Sequence, residues 1–196
     1  MIILLTIIVS FLFGSIPTGY LITKKLCGID IRTKGSGNIG STNVKRIVGT
    51  KLAILTQAGD VIKGIIPMIL GIYLSKTIKL PVTTEVYLSI IPIACVLGHD
   101  YTPFLGFNGG KGVNTTLGAY FLIAPLPVLL GVLIHFILLL FTKIVAIRSI
   151  VLGISIPLTC AIMKLPLPII ISASLASILL IYRHKDNIKN EITLIK

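Results

Sequence analysis

The chain has 196 residues, of which 55% are hydrophobic and only 12% charged, and this excludes a soluble domain, whose apolar groups would need far more polar cover. Residues 117–142 and 165–182 contain no Lys, Arg, Asp or Glu, so lipid is the solvent for most of the chain. A formal net charge of +12 would suit nucleic acid in a soluble protein, but here positive-inside bias and anionic lipids or substrates account for it, and nucleic acid is set aside.

In chain order, apolar runs predict transmembrane helices near 2–23, 51–74, 83–101, 111–125, 127–142, 149–163 and 166–182. Seven spans leave no room for a soluble domain, so residues 1–196 read as a single all-α multi-span membrane domain. The first run has neither a basic segment ahead of it nor a small-residue cleavage site, and reads as a retained helix. Pro125 and Pro127 either divide the fourth and fifth helices or kink one long helix. Charge favours division: with seven spans and the N-terminus outside, fourteen of the eighteen basic residues fall on the cytoplasmic side, together with the C-terminus. Cys27, Cys95 and Cys160 lack disulfide or metal-ligand spacing and read as small buried hydrophobes.

In this topology every polar, glycine-rich segment reaches the cytoplasmic face: 27–50, 98–116, 143–149 and 183–191. Such convergence points to one shared site. The segment from Gly35 to Arg46 mixes glycines (Gly35, Gly37, Gly40), donors (Ser36, Asn38, Thr42, Asn43) and cations, a composition suited to an anion. Its glycines are expected to turn backbone N–H groups towards phosphate oxygens. A second segment carries His99, Gly109, Gly110, Lys111 and Gly112. It departs from a nucleotide phosphate loop, because Leu105 stands where glycine is needed and Gly112 where Ser or Thr is needed. Lys111 between glycines at a helix start still offers an ammonium and free N–H groups to a phosphate.

Asp60 and Lys63 are three apart in an apolar helix, share a face and can pair, so they are expected to border a polar cavity. His135, alone in an apolar run, reads as a bundle-interior hydrogen bonder outside the site. No histidine has an aspartate five positions later, no G-x-S-x-G elbow occurs, and no His and carboxylate constellation suits a metal. A small anion transporter is the rival from another class, although no inverted repeat is visible.

The ordered motifs Gly14-Ser-Ile-Pro-Thr-Gly-Tyr-Leu21, Asp30-Ile-Arg32, Gly35 to Arg46, Asp60-x-x-Lys-Gly64, Gly98-His99 through Val113 with Thr115, and Arg183-His-Lys-Asp-Asn-Ile188 span nearly the whole chain. Together they resemble the membrane-integral bacterial glycerol-3-phosphate acyltransferases of PlsY type. Departures fall at Asn108, where the family has a basic residue, at Ala146, where it has serine, at Pro103, to which the proline after Gly-His is shifted, and after Ile188, where the family's Arg-Leu followed by glycine is missing.

The resemblance implies a seven-helix fold in the bacterial cell membrane with its site on the cytoplasmic side. It implies acyl transfer from acyl phosphate to the 1-hydroxyl of glycerol 3-phosphate, giving lysophosphatidic acid and phosphate; no cofactor, metal or obligate protein partner is inferred. Carried over by motif, Ser36, Arg46, Lys111 and His184 are the expected catalytic residues, with Asn38, Ser149, Asn187 and Glu191 at the substrates.

Overall fold

Continuous apolar runs without charge can satisfy their backbone in lipid only as helices, and all regular structure among the described residues is helical. The structure, a computed structural model, describes the backbone of residues 1–195 and the side chains of residues 1–187. Glu191 therefore lies outside the residues whose side chains are described.

The first apolar run is α1 (Ile2–Ser15) and α2 (Thr18–Cys27), interrupted where Pro17 drives Ile16 to an extended conformation, φ −56° and ψ 114°. The polar segment that follows lies between two predicted spans. It contains α3 (Ser41–Val48), a short amphipathic helix that buries Val44 against Ile31, Ile39, Ala53 and Leu105. Next come α4 (Thr50–Thr77), α5 (Thr84–Asp100), α6 (Val113–Phe121), α7 (Pro125–Leu138), α8 (Val145–Ile162) and α9 (Leu167–Ile195).

The prolines at 125 and 127 divide two helices instead of kinking one: Pro125 occupies the first position of α7, where its missing N–H costs nothing. Among the described residues, five segments are long and apolar enough to cross a membrane: Ile2–Cys27, Thr50–Thr77, Thr84–Leu105, Val145–Ile162 and Leu167–Asn187. The nine residues of α6 and fourteen of α7 reach only ~13 Å and ~21 Å, against a hydrocarbon core of ~30 Å.

Two expected connections are partly helical. Residues 143–149 were assigned to a cytoplasmic segment, yet α8 begins at Val145 and buries Arg148 and Ser149. The polar stretch 183–191 continues α9, since neither Gly nor Pro interrupts the chain after Pro168.

Side chains facing outward stay apolar, as lipid requires: Leu12, Ile62, Ile69, Leu133, Leu158 and Ile178 are all exposed. Inside, Tyr120, Leu152, Ile156 and Ala176 form one core among α6, α8 and α9, and Met68, Tyr87, Ile91 and Ala119 another among α4, α5 and α6. Small residues let helices touch: a Cβ at Gly118 of α6 would lie 2.0 Å from the Val61 carbonyl oxygen of α4. Cys95 and Cys160 are buried as expected, but Cys27, at the exposed end of α2, is not.

Candidate active site

At one end of the bundle, a cavity of ≈ 230 Å³ is lined by Ser36, Asn38, Gly40, Thr42, Asn43, Arg46, Asp60, His99, Lys111, Gly112, Ser149, His184 and Asn187. All four polar segments that the sequence groups together contribute, so their convergence is real. Successive helices present alternate ends to it: the start of α4, the end of α5, the start of α6, the end of α7 and the start of α8.

The Gly35–Arg46 segment is shaped by the amide of Asn43, which is almost fully buried. Its Oδ1 accepts from the Ser36 N–H at 3.0 Å, and its Nδ2 donates to the carbonyls of Asn38 at 2.9 Å, Lys34 at 3.0 Å and Ile31 at 3.3 Å. The Gly37 N–H donates to the Lys34 carbonyl and the Gly40 N–H to Asn38 Oδ1. The expectation that glycine N–H groups here meet a phosphate is therefore corrected: those of Gly37 and Gly40 are consumed within the loop. Gly35 and Gly37 do not line the cavity; they supply turns, at φ 58° and 71°. Asn43 shapes the loop and has no donor left to offer an anion.

The second glycine segment is corrected in the same way. Gly109 and Gly110 donate to the carbonyls of Asp100 and His99 at 3.1 and 3.0 Å, and neither lines the cavity. Their own carbonyls accept from Arg183, whose Nε and Nη2 reach Gly110 O at 3.1 and 2.9 Å, while Nη2 also reaches Gly109 O at 3.3 Å. The guanidinium stacks over Tyr101, 5.0 Å from the ring centroid. Arg183, read from the sequence only as part of a motif, thus clamps the turn that delivers Lys111. The Lys111 ammonium reaches the cavity beside Asn187, to whose Oδ1 it donates.

Asp60 and Lys63 do pair, at 2.9 Å, and both are buried. Asp60 borders the cavity, whereas Lys63 stands behind it and donates to the Ile16 carbonyl at 2.8 Å, satisfying the backbone where α1 breaks. Lys63 is therefore not a cavity residue. His99 Nδ1 lies 3.2 Å from Thr115 Oγ1 and 3.7 Å from Asp60 Oδ1, and its Nε2 abuts Gly110. His184 Nδ1 is 2.8 Å from the Leu180 carbonyl. A carbonyl only accepts, so Nδ1 carries the proton and Nε2 is left for the cavity.

Helix starts complete the picture. Gly40 to Thr42 of α3, Gly112 to Asn114 of α6, and Val145, Ala146 and Ser149 of α8 all face the cavity. None of these helices has a side-chain N-cap, so first-turn N–H groups and positive dipole ends point at one space. With Arg46 and Lys111 added, and Asp60 neutralised by Lys63, the site favours anions strongly. Among the described residues, no group of three or more His, Cys, Asp or Glu could hold a metal. Sequence reasoning missed Ser41, Gln57 and Asn114 at the cavity, and also His135; a lone histidine in an apolar run carries no signal of what it faces.

The model of the glycerol-3-phosphate acyltransferase family matches residues 4–193. The chain belongs to this family, in its PlsY-type branch. It is 63% identical over 187 residues to the glycerol-3-phosphate acyltransferase of Clostridium acetobutylicum, covering 95% of this chain and 94% of that one. The enzyme of the same description from Geotalea daltonii is 40% identical over 183 residues, 93% of this chain and 90% of the other. The crystal structure of PlsY in its glycerol 3-phosphate form superposes with a TM-score of 0.87 at 36% identity, covering 98% of this chain and 93% of that one. The family carries an integral membrane acyltransferase fold, in agreement with the helices and the outward apolar surface.

Proposed function

We propose that this chain transfers a fatty acyl group from acyl phosphate to the 1-hydroxyl of glycerol 3-phosphate, giving lysophosphatidic acid and inorganic phosphate. The carrying observation is the convergence of three uncapped helix starts with Arg46 and Lys111 on one cavity. Such a site holds phosphoryl groups without a nucleophile of its own. With α6 and α7 counted as short passes beside the five longer spans and the N-terminus outside, the cavity faces the cytoplasm of a bacterial cell; the alternating helix ends and the positive-inside count support this.

Arg46, Lys111 and His184 hold the phosphate of glycerol 3-phosphate. The side chains of Ser36, Asn38 and Thr42, with the first N–H groups of α3, hold the acyl phosphate, the role first expected of the glycines. The glycerol oxygen attacks the acyl carbon, the bond from that carbon to the phosphate oxygen breaks, and the departing phosphate takes the hydroxyl proton. His99 is not needed as the base, because Thr115 engages its Nδ1 and Gly110 crowds its Nε2. Proximity and charge neutralisation supply the rate. No cofactor and no protein partner enter this scheme.

The test is inorganic phosphate release by the purified protein in lipid, with acyl phosphate alone and with glycerol 3-phosphate added. Release should require both substrates and fall about a hundredfold or more in Lys111→Ala. Release indifferent to glycerol 3-phosphate would overturn the assignment.

A further inference from the structure

Arg46, Lys111 and the first N–H groups of α3, α6 and α8 donate into the cavity and suit phosphoryl oxygens. Glycerol 3-phosphate also brings two hydroxyls, and a hydroxyl that leaves water needs an acceptor of its own. The attacking 1-hydroxyl hands its proton to the departing phosphate. The 2-hydroxyl keeps its proton, so an oxygen of the cavity wall must take its hydrogen bond.

Amide oxygens can only accept, and five amide side chains line the cavity among the described residues. Three are already engaged: Asn38 Oδ1 accepts from the Gly40 N–H, Asn43 Oδ1 from the Ser36 N–H, and Asn187 Oδ1 from the Lys111 ammonium. Gln57 and Asn114 remain. Gln57, on α4, is exposed, and no described residue holds its side chain. Asn114, in the first turn of α6, is half-buried, and its Nδ2 donates to Ser41 Oγ at 3.3 Å. That hydrogen bond joins the start of α6 to the start of α3 and fixes the amide with its Oδ1 unengaged and not buried.

Its place suits the reaction. Lys111, just before Asn114 in the chain, holds the phosphate of glycerol 3-phosphate, and Thr42, next to Ser41, holds the acyl phosphate. The amide therefore stands between the two substrates, on the path by which the glycerol carbons bring the 1-hydroxyl to the acyl carbon. A fixed acceptor in an anion site faces phosphate oxygens of like partial charge, and a hydroxyl donor removes that conflict. Asp60, the carboxylate at the cavity, is 2% exposed with its Oδ1 held by Lys63 at 2.9 Å.

We propose that Asn114 is a specificity-determining residue whose side-chain oxygen accepts the hydrogen bond of the 2-hydroxyl of glycerol 3-phosphate. Ser41 is a positioning residue that acts through this amide. The inference rests on the function proposed above and adds to it the group that reads the glycerol backbone, as distinct from the groups that hold phosphate.

The experiment compares glycerol 3-phosphate with 3-hydroxypropyl phosphate, which lacks only the 2-hydroxyl, as acyl acceptors for wild type, Asn114→Ala, Ser41→Ala and Gln57→Ala in lipid. Wild type should favour glycerol 3-phosphate in kcat/KM by about tenfold, the worth of one well-placed hydrogen bond. Asn114→Ala should bring the two substrates to near equality by lowering kcat/KM for glycerol 3-phosphate alone, and Ser41→Ala should move the ratio in the same direction. A merely structural role would lower both substrates together and keep the ratio, and that result overturns the proposal. So does a preference lost in Gln57→Ala but kept in Asn114→Ala, or a wild type that does not distinguish the substrates. A second arm measures thermal protection by each phosphate ester without acyl phosphate. Glycerol 3-phosphate should protect wild type at lower concentration than 3-hydroxypropyl phosphate does, and Asn114→Ala equally with both; equal protection of wild type by the two esters overturns the contact. This arm reads the contact even if wild type transfers no acyl group, so its failure and the failure of the proposed function are told apart. Should Asn114→Ala not fold, the near-isosteric Asn114→Leu carries both arms.

Discussion

Between Gly35 and Arg46, glycines at positive φ turn the chain so that Ser36, Asn38, Thr42 and Arg46 project into the cavity, and one buried amide, Asn43, ties the loop together. Between Gly98 and Val113, Gly109 and Gly110 serve contact instead, lying directly on His99 and Asp100, and besides His99 only Lys111 and the residues after it reach the cavity. Similar compositions thus arise from different needs, conformational freedom in one loop and absence of a side chain in the other. Glycine-rich sequence near a phosphate site does not by itself mean that glycine N–H groups bind phosphate.

The sharpest way to break this contrast is Gly109→Ala, whose Cβ would lie 2.0 Å from the His99 backbone oxygen. Backbone cannot yield cheaply in a packed bundle, so the variant should lose most of its folded yield in size-exclusion chromatography. Gly40→Ala meets only the tip of the Asn38 side chain, at 2.9 Å, and should remain folded. Equal folded yields for the two variants would sink the distinction.

Next in size is Arg183→Ala. Freeing the turn that carries Lys111 should lower turnover by about tenfold to a hundredfold, and Arg183→Lys should not rescue it, because one ammonium cannot span two carbonyls and stack on Tyr101. Steady-state kinetics of a folded variant decides this; full rescue by lysine would reduce the clamp to simple charge.

Asn43→Ala removes a buried amide serving four backbone groups and should cost about 3 kcal/mol. The unfolding midpoint in detergent measures it, and hydrogen exchange should rise at Ser36, whose N–H the amide accepts. Protection unchanged at Ser36 would contradict the role given to Asn43.

The smallest effect belongs to the exposed Asp30–Arg32 pair at the edge of the first loop. The guanidinium hydrogen bond from Arg32 lowers the Asp30 carboxyl from 3.8 to about 2. A carboxyl more acidic in the folded state stabilises above its ordinary pKa, so this small contribution fades as pH falls from about 4 and is gone below about 2. An NMR titration should return the carboxyl towards 3.8 in Arg32→Gln.

Much of the site was legible in the sequence because its residue types are costly anywhere else in lipid. Lys111, Arg46, Asp60, Ser149, His184 and Asn187 all reach the cavity as expected. The glycines at 35, 37, 109 and 110 and also Lys63 were assigned to substrate but support the structure: the glycine loops close on themselves, and Lys63 is taken by the Ile16 carbonyl of another segment. Arg183 and His135 were undervalued for the same reason. A clamp on two distant carbonyls and a ring facing a cavity leave no local pattern.

By itself, the sequence determined that the chain lives in lipid, and the placing of its positive charges favoured division at Pro125 and a gathering of its polar segments at one face. The first follows from transfer free energy, a property of short stretches, and the others from the sidedness of charge along the chain. Tertiary structure alone decided that α3 forms within the polar segment, that α8 draws Arg148 inside, and which N–H groups remain for an anion. Those outcomes depend on contacts between residues far apart in the chain, since a donor is available only when no distant carbonyl has already taken it.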